Sequence, residues 1–563
     1  MQKQCVHCTV GFEVTDEDLQ FYDKVSPVFN GVKYSIPAPT HCPDCRQQRR
    51  IAHENERNLY PSICKLCAKK ILSQYSPNSG VIDYCRECFY SDKWDPRDYG
   101  MDFDFSRPFF DQIRELKLRT PGIGLNVQGN IQNCDYIHYA GTSKNCYLIM
   151  HADFCDDCYY GYGFKHNTSC MDGFYNLGCE LCFDCVDVNK CYDLKGCQDC
   201  HGCHSSFFLR DCIGCKNCFL CVGLRQKEFC YENQQLTREQ YEAKMTEIDL
   251  GSYAVYQWCK GRLKELESVH NFKHFQNTNV TNCTGDHLTN CKDLYYCFDC
   301  EDVETGRYLF QVVTGAKDCY DIYQYGLNLQ MSYECATVGE DSYHMLFTEN
   351  GHVSGVDVYY SWYVERCKYI FGCANMHGKQ YCILNKQYTE EEYNALVPKI
   401  IEHMKSTGEF GEFFPMNKAV VGYNESTAQI YYPLTKEQAL AKGLLWNDYQ
   451  VPPPKVEKVL EGAQVPDNIK EVGDDILNFA IKCEITGKLF KIIPQELKFL
   501  RRQGLPLPRR HQEQRHLDRF ALRNPRRFAQ RACGGCGVGV WTTHLEETGR
   551  KVLCEGCFEK AVY

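Results

Sequence analysis

The chain has 563 residues, of which 44% are hydrophobic and 24% charged, and its 40 cysteines and 39 tyrosines stand far above ordinary usage. The opening MQKQCVHCTVGFEV is not a secretory signal, and no segment approaches the ~18 consecutive apolar residues of a membrane helix, so the expected location is cytoplasmic. In a reducing compartment stable disulfides are not expected, and cysteine pairs read as metal ligands or buried thiols.

In chain order, residues 1–100 read as paired zinc ribbons, with Cys5-x2-Cys8, Cys42-x2-Cys45, Cys64-x2-Cys67 and Cys85-x2-Cys88. Two such knuckles present four thiolates tetrahedrally to one Zn2+ and leave no open position for water, which makes the sites structural rather than catalytic. The expected sites are Cys5/Cys8/Cys42/Cys45 and Cys64/Cys67/Cys85/Cys88. Arg46, Arg49, Arg50 and Arg57 give this region a basic face. Residues 101–130 read as a linker.

From 131 to 236 the cysteines keep a different time. Seven fall in the 26 residues of CELCFDCVDVNKCYDLKGCQDCHGCH at 179–204, all separated by multiples of three, with triplets recurring 18 residues apart. Tyr, Phe, Val, Asp, Asn and Gly surround them without Pro or helical periodicity, which favours short strands joined by polar turns. The expected fold is a parallel β-solenoid with a repeat of about 18 to 25 residues, cysteine filling its tight interior corners. An iron–sulfur or further zinc site is the sharper alternative: Cys212, Cys215, Cys218 and Cys221 echo a ferredoxin run, and His201 and His204 adjoin Cys200 and Cys203.

The solenoid is read twice. FLCVGLRQKEFCYENQQLTREQYE at 219–242 matches FGCANMHGKQYCILNKQYTEEEYN at 371–394, with Cys221 on Cys373, Cys230 on Cys382 and Tyr241 on Tyr393. The second copy spans 269–388 and carries nine cysteines between 276 and 388, against 17 between 131 and 236 in the first. An obligatory metal cluster would have kept its set, so the core-thiol reading is preferred. Helices at 237–268 and 389–406, N-capped by Thr237 and Thr389, are expected to cap the solenoid edges. Residues 407–475, with PPPK at 452–455, read as an extended linker whose aromatics pack on the solenoid.

Residues 476–563 repeat the amino terminus. Pro37, Pro39, Arg46, Arg50 and Asn55 fall on Pro506, Pro508, Arg515, Arg519 and Asn524, and Cys64, Cys67, Cys85 and Cys88 fall on Cys533, Cys536, Cys554 and Cys557, the third expected zinc site. The fourth is broken: its positions read Cys483, Thr486, His511 and Gln514, so the module is expected to fold on Phe490, Leu497 and Phe499.

CVHCTVGFEVTDEDLQFYDKV followed by PTHCPDCRQQRR resembles the small bacterial "probable zinc-ribbon" domain, and KCEITGKLFKIIPQELKFL with LPLPRRHQEQR is a degenerate copy. YCRECFYSDKWDPRDYG, GYNESTAQIYYPLTKEQALAKGLLWNDY and RFALRNPRR resemble a family of long cysteine-rich bacterial proteins built on the same plan. The resemblance implies an architecture and no particular chemistry.

The net charge of -10 hides an asymmetry, since residues 483–532 hold 13 Lys and Arg against 4 Asp and Glu. Arg501, Arg502, Arg509, Arg510, Arg515, Arg519, Arg523, Arg526 and Arg527 are the candidate nucleic-acid contacts, because guanidinium forks bind phosphate bidentately. Pairing of these arginines with the acidic solenoid of the same chain is the level alternative. No phosphate-binding, dinucleotide-binding, metalloprotease or nucleophile-elbow motif is present. Asp156, Asp157, Asp172, Asp321 and Arg210 are the residues a solenoid enzyme would use, and turn roles explain them more economically.

These readings combine into a mainly β protein, a double parallel β-solenoid flanked by paired zinc ribbons, acting as a non-enzymatic scaffold with about three structural zinc ions and no organic cofactor. The expected partner is nucleic acid or a nucleoprotein, with no membrane involved. A protein-docking platform on the tyrosine-rich solenoid face comes second, and a solenoid enzyme on a polymeric substrate third.

Overall fold

The computed structural model describes the whole chain except residues 164–170, 174–181, 290, 293–294, 299–305, 308–318, 321–326, 352 and 563. Cys179 and Asp321 therefore lie outside the described residues. The chain divides into two compact units, each made of two separated segments: Met1–Leu125 with Phe275–Tyr449, and Asn126–His274 with Gln450–Tyr563. The amino-terminal cysteine modules thus share a unit with the later coils, and the carboxy-terminal modules with the earlier ones.

Both units are mainly β and contain parallel β-solenoid coils. In the second unit the bridges pair residues twelve apart: His138 with Met150, Tyr147 with Tyr159, Val186 with Gln198 and Phe207 with Phe219. The expected repeat of 18 to 25 residues is corrected by this register. Each coil consists of four triplets, and every third residue turns the chain in the left-handed region, as at Asn133, Tyr136, Tyr139, Thr142, Asn145 and Leu148. Asn and Asp, which tolerate that region best, recur there as Asp157, Asp172, Asp184, Asp187, Asp193, Asp199 and Asp211. The next residue points inward, which buries Ile137, Ala140, Cys146, Ile149, Cys197, Cys200 and Cys203 in one core.

Cysteine does more at these corners than fill space. The corner leaves a backbone N–H and a backbone carbonyl facing the interior, and each needs a partner. Cys191, Cys200 and Cys221 donate S–H to the carbonyl two residues earlier at 3.2 Å. Cys191 and Cys197 Sγ accept the backbone N–H of the residue twelve later at 3.4 Å. Ser206 occupies an equivalent corner and does both jobs, donating to the His204 carbonyl at 2.8 Å and accepting the Cys218 N–H at 3.1 Å. A small side chain that both donates and accepts is what the corner selects.

The coils of the first unit follow the same rule with variations in length, opening with bridges eleven apart, Thr278 with Thr289 and Thr281 with Lys292. Gln330 pairs with Tyr343 and Tyr343 with Val356, thirteen apart, before the spacing returns to twelve at Lys368 and Gln380. The left-handed residues show where the extra residue goes, since Thr337 is followed by Asp341 and Asn350 by Ser354.

Both coil stretches end on one device. Asn233 and Asn385 adopt φ values of 62° and 63° and turn their side-chain amides back on the preceding coil. Asn233 accepts the Val222 N–H and donates to the Val222 carbonyl, both at 2.8 Å, and Asn385 does the same with Ala374, again at 2.8 Å. The amide stands in for the peptide group of a coil that is not there. Capped helices follow, Arg238–Thr246 after Thr237 and Glu390–Thr407 after Thr389, each opened by a capping box as the sequence pattern predicts. The second buries Tyr393, Val397, Ile400, Ile401 and Met404.

Residues 408–449 pack as part of the first unit, with Phe413, Phe414, Val420 and Tyr423 buried. Among the described residues no helix is long and apolar enough to cross a membrane.

Candidate metal centres

Each cysteine module opens with a short antiparallel hairpin that carries the first knuckle: Gln2–Gln4 with Gly11–Glu13, Tyr60–Ile63 with Lys70–Ser73, and Ala529–Ala532 with Gly539–Thr542. The knuckle turn needs a left-handed residue four positions after its first cysteine. Thr9, Ala68 and Gly537 supply it, at φ of 62°, 60° and 76°. Their N–H groups return to the carbonyls of Cys5, Cys64 and Cys533, each at 2.9 Å.

The second knuckle sits at the start of a helix. Cys42 and Cys85 are the N-caps of helices Pro43–Ile51 and Arg86–Phe89, and Cys554 immediately precedes Glu555–Val562. Amide dipoles at such positions favour thiolate, although at Cys85 burial outweighs them and pushes the thiol up. The Cys42 thiol is pushed down to about 5, foremost by its hydrogen bond with the Cys45 side chain. That of Cys533 falls to about 6, foremost through the backbone N–H of Cys554.

In each of the three expected quartets the four sulfurs lie within 4.8 Å of one another. Across the two knuckles, Cys8 and Cys42 are 3.6 Å apart, Cys67 and Cys85 3.9 Å, and Cys536 and Cys554 3.7 Å. A metal–sulfur bond of about 2.3 Å gives a tetrahedron with edges of about 3.8 Å, so the donor sets fit a thiolate-bound ion. Backbone donors complete the shell, with the Cys85 N–H 3.3 Å from Cys64 Sγ and the Cys554 N–H 3.2 Å from Cys533 Sγ. His7 Nδ1 lies 3.3 Å from Cys45 Sγ. No disulfide joins the cysteines whose side chains are described.

The fourth module keeps the backbone and loses the site. Gly487 holds the knuckle turn at φ 69°, and its N–H reaches the Cys483 carbonyl at 2.9 Å. His511 instead caps helix Gln512–Phe520, its Nδ1 accepting the Glu513 N–H at 3.2 Å, and Gln514 donates to Asp518 at 2.8 Å. Phe490, Leu497 and Phe499 are buried in one core cluster with coil residues Tyr159 and Phe183.

No all-cysteine quartet of this kind occurs along the coils among the described residues. Cys200 and Cys203 are buried, whereas His201 is exposed and His204 half-buried, because strand alternation sends neighbouring side chains to opposite faces. The histidines therefore do not join the cysteines.

The nine candidate arginines separate into two groups. Arg515 and Arg519 are buried and share Asp172, at 3.2 and 3.0 Å; Arg515 also meets Glu496 at 3.2 Å, and Arg519 meets Asp184 at 3.5 Å. Arg523 pairs with Asp187 at 2.7 Å. Arg501 pairs with Asp474, Arg510 with Glu484 and Asp518, and Arg527 with Glu547, all nearer the surface. Arg509 lies over the Tyr253 ring at 4.1 Å and Arg502 over Phe499 at 5.6 Å. Arg526 is half-buried.

The first unit repeats the buried arrangement on helix Pro43–Ile51. Arg46, Arg49 and Arg50 surround one buried carboxylate, Glu334, at 3.5, 3.3 and 3.5 Å, and Arg49 also reaches Glu412 at 2.5 Å. Burial pushes Glu334 up, and Arg49, Arg50 and Arg46 together outweigh it, leaving it below the usual carboxylate range. Glu412 falls to about 2, since burial is outweighed by hydrogen bonds from His41, Arg49 and Thr40 and by the Arg49 charge. Sequence reasoning missed Glu334, Glu412, Glu496 and Asp184 as counterions. The recurrence of Arg46 and Arg50 as Arg515 and Arg519 was the available signal.

Two of the residues weighed for a solenoid enzyme, Asp172 and Arg210, are occupied likewise. Asp172 serves the arginines above, and Arg210 is buried against Asp199 at 2.9 Å. No family model matches the chain, and neither a curated protein nor a solved structure matches it.

Proposed function

We propose that the protein is a non-enzymatic scaffold in which zinc-bound ribbon modules lock two copies of a β-solenoid. The zinc assignment is supported by three closed, all-thiolate quartets, the donor set that structural zinc prefers. The two-copy reading is supported by the identical Asn233 and Asn385 end devices, 152 residues apart as the sequence match requires. The observation that carries the scaffold role is the burial of Arg46, Arg50, Arg515 and Arg519 against coil carboxylates. Arginines used this way are latches inside each unit, and their charge is not offered to a ligand.

That favours a protein partner, docked on exposed coil aromatics such as Tyr136, Phe154, Tyr192, Tyr343 and Tyr369. Nucleic-acid contact is the second reading and rests on the outer arginines Arg501, Arg502 and Arg527, which are exposed. Capture of partners from lysate with and without nuclease, together with binding of labelled RNA and DNA against rising salt, separates the two. Partners retained after nuclease and weak, salt-insensitive nucleic-acid binding support docking; a steep salt dependence lost in an Arg501/Arg502/Arg527→Ala variant overturns it.

A further inference from the structure

The three quartets are not equally shielded. In each amino-terminal quartet three of the four cysteines are buried, whereas in the third only Cys533 is buried, Cys554 and Cys557 are half-buried and Cys536 is exposed. Oxidation of thiolates follows their accessibility as well as their charge.

This quartet is also the one whose backbone clasps the chain beyond the first coil stretch. Strand Lys551–Leu553, ending directly at Cys554, pairs in parallel with Asn271–Lys273. The His274 N–H reaches the Leu553 carbonyl at 3.0 Å, and Thr542 Oγ1 donates to the His274 carbonyl at 2.8 Å. Phe272 is fully buried beneath Arg550, whose guanidinium stands 4.8 Å from the ring centre, and Lys273 pairs with Glu555 at 2.7 Å. The other side of the strand is tied to the knuckle, the Gly534 N–H meeting the Val552 carbonyl at 2.8 Å. A metal bridging Cys533 and Cys554 would fix the register of all these bonds.

Building on the zinc reading, we propose that the Cys533/Cys536/Cys554/Cys557 quartet is an oxidation-sensitive clasp, opened by peroxide, that releases the Asn271–Lys273 segment. Each pair of thiolates gives two electrons to one hydrogen peroxide, forming one S–S bond as the O–O bond breaks, and two protons from solvent turn the oxygens into two waters. Two such events consume the four thiolates and release Zn2+ unchanged in oxidation state. Disulfide geometry pulls sulfurs to about 2 Å, too short for the metal tetrahedron, so the knuckle and the strand it carries lose their register.

The test uses the full-length zinc-loaded chain, hydrogen peroxide, a chromogenic zinc chelator, peptide mapping of disulfides and amide exchange. Zinc from the third quartet is expected to leave about ten-fold faster than from the other two, with disulfides mapped to its four cysteines. Exchange protection at 271–273 and 551–553 falls in step, and dithiothreitol with added zinc restores it. Equal release from all three quartets, or oxidation of the third with protection at 271–273 intact, overturns the clasp while leaving the zinc scaffold standing. A purified chain without zinc overturns both.

Discussion

Sulfur at the two ends of the chain and sulfur in the coils face different demands, although the residue is the same. In the end modules two turns from distant segments aim four cysteine sulfurs at one point, where a bound cation would offset the repulsion between thiolates. In the coils the thiols recur at multiples of three residues and meet one another, Cys200 with Cys197, Cys203 and Cys212, while the backbone also engages them: Cys191 donates to the carbonyl two residues back and accepts an N–H one coil on. The first arrangement can hold an ion because four sulfurs close on one point; among the described coil residues no four cysteines do so, and their sulfurs are hydrogen-bonded to the backbone and to one another instead. Spacing alone distinguishes them: variable loops between knuckles in one, a fixed multiple of three in the other.

The sharpest way to break this comparison is to make one substitution in both regions. Cys45→Ser, which removes one of four ligands, is expected to release one zinc ion per chain and to cost at least about 5 kcal/mol in the first unit. Cys200→Ser is expected to leave metal content unchanged and to cost about 1 kcal/mol or less, because serine already serves the same corner at Ser206. Metal analysis with urea unfolding reads both, and a metal loss from Cys200→Ser refutes the distinction.

Next in size is the arginine latch. Arg519→Ala takes one of two guanidinium partners from buried Asp172 and leaves Asp184 to the Lys260 cation alone, and is expected to cost about 2 to 3 kcal/mol. Arg502→Ala, over Phe499 at the surface, is expected to stay within about 0.5 kcal/mol. Similar costs for the two would mean that the buried pairs do not carry the packing.

Acid sharpens the same point. Glu412 titrates near 2 in the folded chain against an ordinary value of 4.5, so its contribution is fully present above 4.5 and is lost as pH falls toward 2. The expected loss for the first unit is about 3 kcal/mol across that window, absent in Glu412→Gln. Denaturant midpoints measured in steps of pH check it, and a pH profile unchanged by the substitution contradicts it.

The smallest effect belongs to the coil ends. Asn385→Ala removes the amide that pairs with Ala374 and is expected to cost about 1 to 3 kcal/mol. Faster exchange should be confined to residues 374–387, and loss of protection throughout the unit would contradict a local end device.

Much of this was legible in the residues. The quartets declared themselves through Cys-x2-Cys spacing, and the triplet rule through cysteines three apart. The coil length was not legible. Cys182 and Cys185 recur as Cys200 and Cys203, 18 residues on and one and a half coils away, because every corner poses the same chemical problem and cysteine solves it without regard to which coil it is in. The arginines misled for a related reason. A basic run looks alike whether it faces water or a buried carboxylate, and Glu334 lies 284 residues beyond Arg50. Only the fold brings such a pair together, and the degenerate Cys483 module shows that this packing persists where the metal quartet is lost.

The account is tested most directly by counting zinc per chain and reading its coordination by X-ray absorption on full-length protein. The expected result is three zinc ions, each with four sulfur ligands at about 2.3 Å. Six or more ions, or metal signals mapped to residues 182–221, would contradict the division between closed quartets in the end modules and hydrogen-bonded sulfur in the coils.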